Sequence, residues 1–313
     1  MLVKNTETIQ EYITVSNGFD FDRAKPWLKK AERKYIKPLI GKQEYLYFID
    51  NDSDTSESKT LVRALLEEAT VNLAFHLGFA QLFNHISSYG VSQANTENTK
   101  QSDWSEKRDI HRSFIRDGYA ALDEVLKEME YYLDDFPYWR ASKSFTVLNE
   151  NFTRHTDDFQ KWFNIHNSRQ TFLALKPTIR EVFEQYFKPW LNEKTIYKIK
   201  KTSTRPIISR ALELSQKAEV ALTIAKIAET GMFEITETGL FLRWETLPHE
   251  KAYKDLDLKR LSKLSDLKQK AGEEYLKILR NHIEENLEVF TNYQVSKKNP
   301  VNKLIKKKSG LAI

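Results

Sequence analysis

One helix ending is used twice in this chain, about 150 residues apart. "RKYIKPLIGKQEY" (Arg33–Tyr45) and "EQYFKPWLNEKTI" (Glu184–Ile196) share an order: aromatic, bulky apolar, Lys, Pro, then apolar residues and a turn. Such a repeat constrains the fold more than any single motif, because one module has to form twice and the copies have to pack. The match extends in order along the chain. "IQEYITVSN" (Ile9–Asn17) aligns with "FQKWFNIHN" (Phe159–Asn167), so that Tyr12 meets Trp162, Val15 meets Ile165 and Asn17 meets Asn167. "EEATVNLAFHL" (Glu67–Leu77) aligns with "QKAEVALTIAK" (Gln216–Lys226), pairing Ala69, Val71 and Leu73 with Ala218, Val220 and Leu222. Tyr89-Gly90-Val91 meets Thr238-Gly239-Leu240, and Gly118 meets Gly272.

Each copy follows the same plan. A first helix covers 22–40 and 168–191, with Leu28, Ala31, Tyr35 and Leu39 in one copy and Leu173, Ile179, Phe183 and Phe187 in the other. Proline, lacking an amide donor and clashing with the preceding turn, is expected to end or bend it, with Gly41 as a C-terminal cap. A second, Ala- and Leu-rich helix covers 59–85 and 207–230. A β-hairpin signal follows: "MFEITETGLFLRWET" alternates Phe233, Ile235, Leu240, Leu242 and Trp244 around "ETG", while "HISSYGVSQ" is the more polar version. A long charged amphipathic helix covers 103–133 and 255–289.

The expected fold is therefore mainly α, with two tandem, internally duplicated helical domains. Each carries a short β-hairpin between its second and third helices, and an extended C-terminal arm follows. The boundaries are 1–135 for the first repeat, 136–158 for an irregular aromatic connection, 159–290 for the second repeat and 291–313 for the arm. A length of 313 residues suits about two domains. Phe136, Tyr138 and Trp139 in the connection are expected to cover the end of the first core.

Of the net charge of +5, six lysines and no acid lie in 291–313, so residues 1–290 sum to −1. The high isoelectric point belongs to the arm, and the near-neutral body lacks the main electrostatic term for gripping nucleic acid. The arm mixes Leu304, Ile305, Leu311 and Ile313 with Lys303 and its neighbours, which a purely electrostatic tail does not need. It is expected to dock on a neighbouring subunit, adding a strand to an exposed hairpin edge.

Chemistry is sparse. With no cysteine there is no disulfide, thiolate metal site or cysteine nucleophile. The histidines (His76, His85, His111, His155, His166, His249, His282) show no helical metal spacing, and "HEKAY" has Tyr253 where a second zinc-binding His belongs. "DNDSDTSES" (Asp50–Ser58) lacks the glycine and terminal glutamate of a calcium loop and reads as solvated. Adjacent acids such as Glu67/Glu68 and Asp134/Asp135 read as surface. No phosphate-loop, dinucleotide or nucleophile-elbow motif occurs, so no cofactor and no enzyme activity are expected. The polar N-terminus reads as no signal peptide, and no apolar run is long enough to span a membrane. The expected setting is reducing and aqueous.

The order of elements, together with "RAKPWLKKAERKYIKPLIG" (23–41), "SSYGVSQ" (87–93), "SRQTFLALKPTIREVFEQYFKPWLN" (168–192) and the terminal "KKKSGLAI", resembles the head–tail connector (head-completion adaptor) proteins of tailed bacteriophages. It is most similar to the duplicated connector-like proteins of Bacteroidetes and crAss-like phages. The second copy departs by having Asn192 at the place of Gly41, a residue that also tolerates left-handed backbone. The resemblance implies a structural protein of the virion neck, assembled in the host cytoplasm. About twelve copies would close a ring through heterologous contacts, docked beneath the portal protein and other neck or tail proteins, with DNA passing through the lumen and no membrane involved. Candidate subunit-interface residues are Tyr89, Gly90 and Val91 in one hairpin, Phe233, Ile235, Leu240, Leu242 and Trp244 in the other, and Lys303, Leu304, Ile305, Leu311 and Ile313 in the arm. The alternative is a cytoplasmic helical adaptor for a protein partner.

Overall fold

A computed structural model describes residues 1–51, 54–82, 85–87, 90–92, 103–201, 204–228, 233–236, 239–242 and 258–293. The fold is mainly helical. In the first half α1 (Thr6–Tyr12) and α2 (Phe21–Ala31) lead through a π turn (Glu32–Ile36) into α3 (Lys37–Ile40) and α4 (Lys42–Asp50). Then come α5 (Glu57–Leu82), β1 (His85–Ser87), β2 (Gly90–Ser92) and α6 (Trp104–Tyr131). Three short helices follow: α7 (Pro137–Arg140), α8 (Lys143–Leu148) and α9 (Thr156–Gln160). The second half continues with α10 (Arg169–Val182), a π turn (Phe183–Phe187), α11 (Glu193–Lys200), α12 (Pro206–Ala228), β3 (Phe233–Thr236), β4 (Gly239–Leu242) and α13 (Leu258–Glu284).

The halves agree in detail. Pro26 lies inside α2 and Pro177 inside α10, and each is followed by a π turn just before Lys37-Pro38 or Lys188-Pro189. A proline ring clashes with the carbonyl four residues back. For Pro38 and Pro189 those residues are Lys34 and Gln185, both within the π turns, where the wider coil moves the carbonyl aside. Beyond Pro38 the helix runs on to Ile40, whereas beyond Pro189 the chain turns and leaves. Gly41 ends α3 at φ +80°, its amide donating to Lys37 O (3.0 Å). Asn192 is different from expectation: its backbone is extended (φ −77°, ψ 161°), and its side chain caps α11 by accepting from Thr195 N at 2.9 Å. The connection is irregular only in part: short helices α7 and α8 occupy its first half, with Ser142 capping α8, and residues 149–155 follow outside any helix or strand.

Helices α5 and α12 are apolar nearly all round, so both have to be central. Val62, Leu66, Ala69, Leu73 and Ala74 on α5, and Ala211, Leu214, Ala218, Leu222 and Ile224 on α12, are buried. The amphipathic helices α6 and α13 lie against them. In each pair a glycine sits where there is no room for a side chain. A Cβ on Gly118 would sit 2.7 Å from Leu73 Cγ, and one on Gly272 would sit 2.5 Å from Leu222 Cγ. Gly118 matches Gly272 and Leu73 matches Leu222, so the two copies use one contact. Gly272→Ala is expected to cost about 1–2 kcal/mol, an overpacking penalty reduced by the better helix propensity of Ala. In a Leu222→Ala background the same change becomes neutral or stabilising, because the methyl enters the space vacated. Urea unfolding of the four proteins checks this, and equal costs in both backgrounds would refute the contact.

Beyond α5 and α12 the strands pair antiparallel with the same register: Ser87 opposite Gly90 and Ile86 opposite Val91, then Thr236 opposite Gly239, Ile235 opposite Leu240 and Phe233 opposite Leu242. Each described sheet has two strands. Phe136 and Trp139 are fully buried against the first core, as expected, while Tyr138 is half exposed. The second core falls into two clusters, one around Phe152, Phe183 and Phe187 and the other around Phe159, Phe172 and Ile224.

Candidate functional site

The most heavily built polar site among the described residues lies where the connection enters the second half. Glu219 on α12 is fully buried. Its carboxylate accepts from Phe152 N (3.3 Å), Thr153 N (2.7 Å) and Thr153 Oγ1 (2.6 Å). Gln216 Nε2 donates to Phe152 O at 3.2 Å, and Lys176 Nζ donates to Thr153 O at 3.3 Å. Lys200 Nζ donates to Asn149 O (2.8 Å) and Glu150 O (2.5 Å). A segment outside any helix or strand thus has its backbone groups satisfied by side chains. Burial pushes Glu219 above the usual carboxylate range, opposed by the Thr153 and Phe152 hydrogen bonds. Burial pushes Lys176 and Lys200 down to about 8.

The first half solves the same problem with a different residue. Leu2-Val3 holds the position of Phe152-Thr153 and is equally buried. There Glu32, in the π turn, accepts from Leu2 N (2.6 Å) and from Tyr45 Oη (2.8 Å). Glu32 matches Phe183, and Glu219 matches Thr70, so the buried carboxylate has changed helices between the copies. A second buried acid, Glu44, takes Lys59 Nζ (2.8 Å) and Trp139 N (2.9 Å), and Lys59 lies 4.1 Å from the Phe136 ring centre.

The lowered lysines give a signed alkaline response. With folded values of about 8 and unfolded values near ~10.4, the unfolded chain binds more protons between these limits. Stability therefore rises with pH across that window. Lys176→Met and Lys200→Met each remove part of the rise in melting temperature between pH 8 and 10. An unchanged slope in both variants contradicts the burial of these charges.

The halves meet along α6. Asp123, Lys127 and Glu130 recur there at helical spacing on one face. Asp123 pairs with buried Arg169 at the start of α10. Lys127 Nζ reaches Asp157 at 2.6 Å, and Glu130 receives Arg154 (3.3 Å) and His155 Nε2 (2.8 Å). Burial raises Glu130, but the hydrogen bond from His155 and the charge of Arg154 bring it below its usual value.

At the opposite end of the α5–α6 pair, His76 Nδ1 lies 2.8 Å from His111 Nε2, and His111 stacks on Phe79 at 4.3 Å. Only one proton fits between the facing nitrogens. Burial, then the charges of His111 and Lys34, push His76 down to about 4. Its unfolded value near ~6.5 is higher, so the stability it contributes is present above that pH and is lost as pH falls toward 4. His76→Phe is expected to flatten this part of the melting-temperature profile between pH 7 and 4.5. Parallel profiles for the two proteins contradict the assignment.

Of the sequence-selected residues, Gly90 and Val91 lie in β2, Phe233 and Ile235 in β3, and Leu240 and Leu242 in β4. Tyr89, Trp244, Lys303, Leu304, Ile305, Leu311 and Ile313 lie outside the described residues, as do Asp52 of the acidic loop and His249. Among the described residues no group of three or more His, Asp or Glu side chains is placed to hold a metal ion. No described helix is long and apolar enough to cross a membrane. A cavity of about 310 Å³ lies beside Lys200, lined also by Glu150, Arg180, Phe183, Lys188 and Tyr197.

The model of a family of unknown function, DUF6712, matches residues 36–149 and again residues 175–303. The chain belongs to this family. The DUF6712 match falls on both halves, in line with the internal repeat read from the paired glycines, prolines and π turns. No curated protein and no solved structure matches the chain. Sequence reading missed Glu219, although an acid set among Ala218, Val220, Ala221 and Leu222 in the apolar stretch of α12 was the available signal. It also missed Arg169, whose charge at a helix N-terminus opposes the helix dipole and so asks for a carboxylate.

Proposed function

We propose that this DUF6712 protein is a ring-forming structural component of a phage virion neck. In this reading it is a head-to-tail connector that docks below the portal and lets DNA pass, and it carries no catalytic site. The observation that carries the reading is the pairing, among the described residues, of just two strands beyond the end of each central helix. Such a pair is marginal in water and needs a third strand or a packed surface. In this reading each copy presents a β-hairpin as a subunit contact, through Tyr89, Gly90 and Val91 in one case and Phe233, Ile235, Leu240, Leu242 and Trp244 in the other. Heterologous contact of one copy's hairpin with the next copy's body closes into a ring of about twelve subunits. The near-neutral body lets DNA slide past without gripping it. Similarity of the quoted helix-ending and terminal segments to head–tail connectors supports the same reading.

Mass spectrometry of purified particles tests it. The expected result is this chain at stoichiometry comparable to the portal protein. Its absence from particles, with recovery only from host cytosol, favours a helical adaptor instead.

A further inference from the structure

The pole of the first half opposite its strand pair carries an exposed aromatic and acidic surface. Tyr131 is 79% exposed and Tyr138 52%. Tyr131 packs edge-on against Tyr132 at 4.7 Å, and Tyr138 lies 6.2 Å from Tyr47. Acids surround these rings. Tyr47 Oη donates to Asp54 at 2.5 Å, and Ser58 Oγ donates to Asp135 at 2.7 Å. Desolvation and the charges of Glu57, Glu128 and Asp135 raise the Tyr132 phenol above its usual value. Asp134 is 95% exposed, with Arg140 alongside at 3.0 Å. Arg63 is turned inward onto Phe48 O and Asn51 O, and Lys59 is buried on Glu44. The pole is therefore negative and aromatic.

One segment of this chain has the complementary chemistry. Residues 291–313 hold six lysines and no acid, and the lysines share the segment with Leu304, Ile305, Leu311 and Ile313. Lysine over a tyrosine face gains a cation–π attraction, the aliphatic side chains cover the ring edges, and opposite charge steers the encounter. The arm is rooted at the matching pole of the second half, where Tyr293 packs on Trp190 at 6.2 Å. The 20 residues beyond Tyr293 span up to roughly 70 Å when extended.

We propose that the tyrosine-acid pole of the first half receives the C-terminal arm, Lys303–Ile313, of a second copy of the chain. This rests on the self-assembly proposed above and names the surface that the arm meets, in place of a hairpin edge.

Disulfide trapping tests it, because the chain has no cysteine of its own. Full-length Tyr138→Cys and full-length Ser309→Cys proteins are mixed and oxidised. The expected product is a linked pair of twice the chain mass, forming about 10-fold faster than when Lys194→Cys replaces Tyr138→Cys. Adding Asp134→Lys and Tyr131→Ser, both at solvent-open positions, to the Tyr138→Cys chain is expected to abolish that preference. Equal trapping at Lys194 overturns the proposal. So does a Tyr138→Cys/Ser309→Cys chain that closes within a monomer while the mixed single variants fail to link. Sedimentation of the same samples separates the two readings. Normal assembly without preferential trapping removes the arm contact and leaves the ring. Preferential trapping between chains that otherwise stay monomeric keeps the contact and removes the ring.

Discussion

Glu219→Ala is expected to lower the stability of the second half by about 3–5 kcal/mol, the range for removing one partner from a buried charged network. The change strands the amides of Phe152 and Thr153 and the Thr153 hydroxyl, and it leaves Lys176 facing them without its counter-charge. Glu219→Gln keeps an acceptor in the same volume and is expected to cost less than half as much. Urea unfolding followed by tryptophan fluorescence reads the difference, since Trp162 and Trp190 both pack against the second-half core clusters. A loss below about 1 kcal/mol for the alanine variant, the worth of an ordinary hydrogen bond, contradicts the clamp.

Asp123→Ala is the second large effect, again about 3–5 kcal/mol, because Arg169 stays buried with its charge unpaired. The double variant Asp123→Leu/Arg169→Leu is expected to recover most of the loss, since replacing both ions with apolar groups removes the desolvation cost along with the attraction. The coupling in this cycle measures how firmly α6 holds the start of α10. Additive single losses would show that the two residues act separately and that the halves are not joined there.

The parts of the fold legible in the sequence were those fixed by local pattern. The two central helices announced themselves by their Ala- and Leu-rich composition, and the matched Gly118 and Gly272 mark the same close helix contact in both copies. The π turns were not legible, because a one-residue widening leaves no periodicity signal. Only the repeated Pro and Lys-Pro spacing hinted at it. Asn192 misled because it aligns with Gly41 yet serves as a helix cap, which depends on where the chain goes next. The connection read as irregular because α7 and α8 are too short to show a helical period. The buried carboxylates were hidden for a different reason. Glu32 and Glu219 perform one task from different helices, so aligning the copies places each against a residue that does not share it.

Native mass spectrometry of the full-length chain, with electron microscopy of the same sample, most directly tests the claim that this duplicated helical module is a ring component. Closed rings of about twelve copies joined by heterologous contacts are the expected result. A monomer at every concentration, or a twofold dimer whose interface buries the strand pairs, contradicts it.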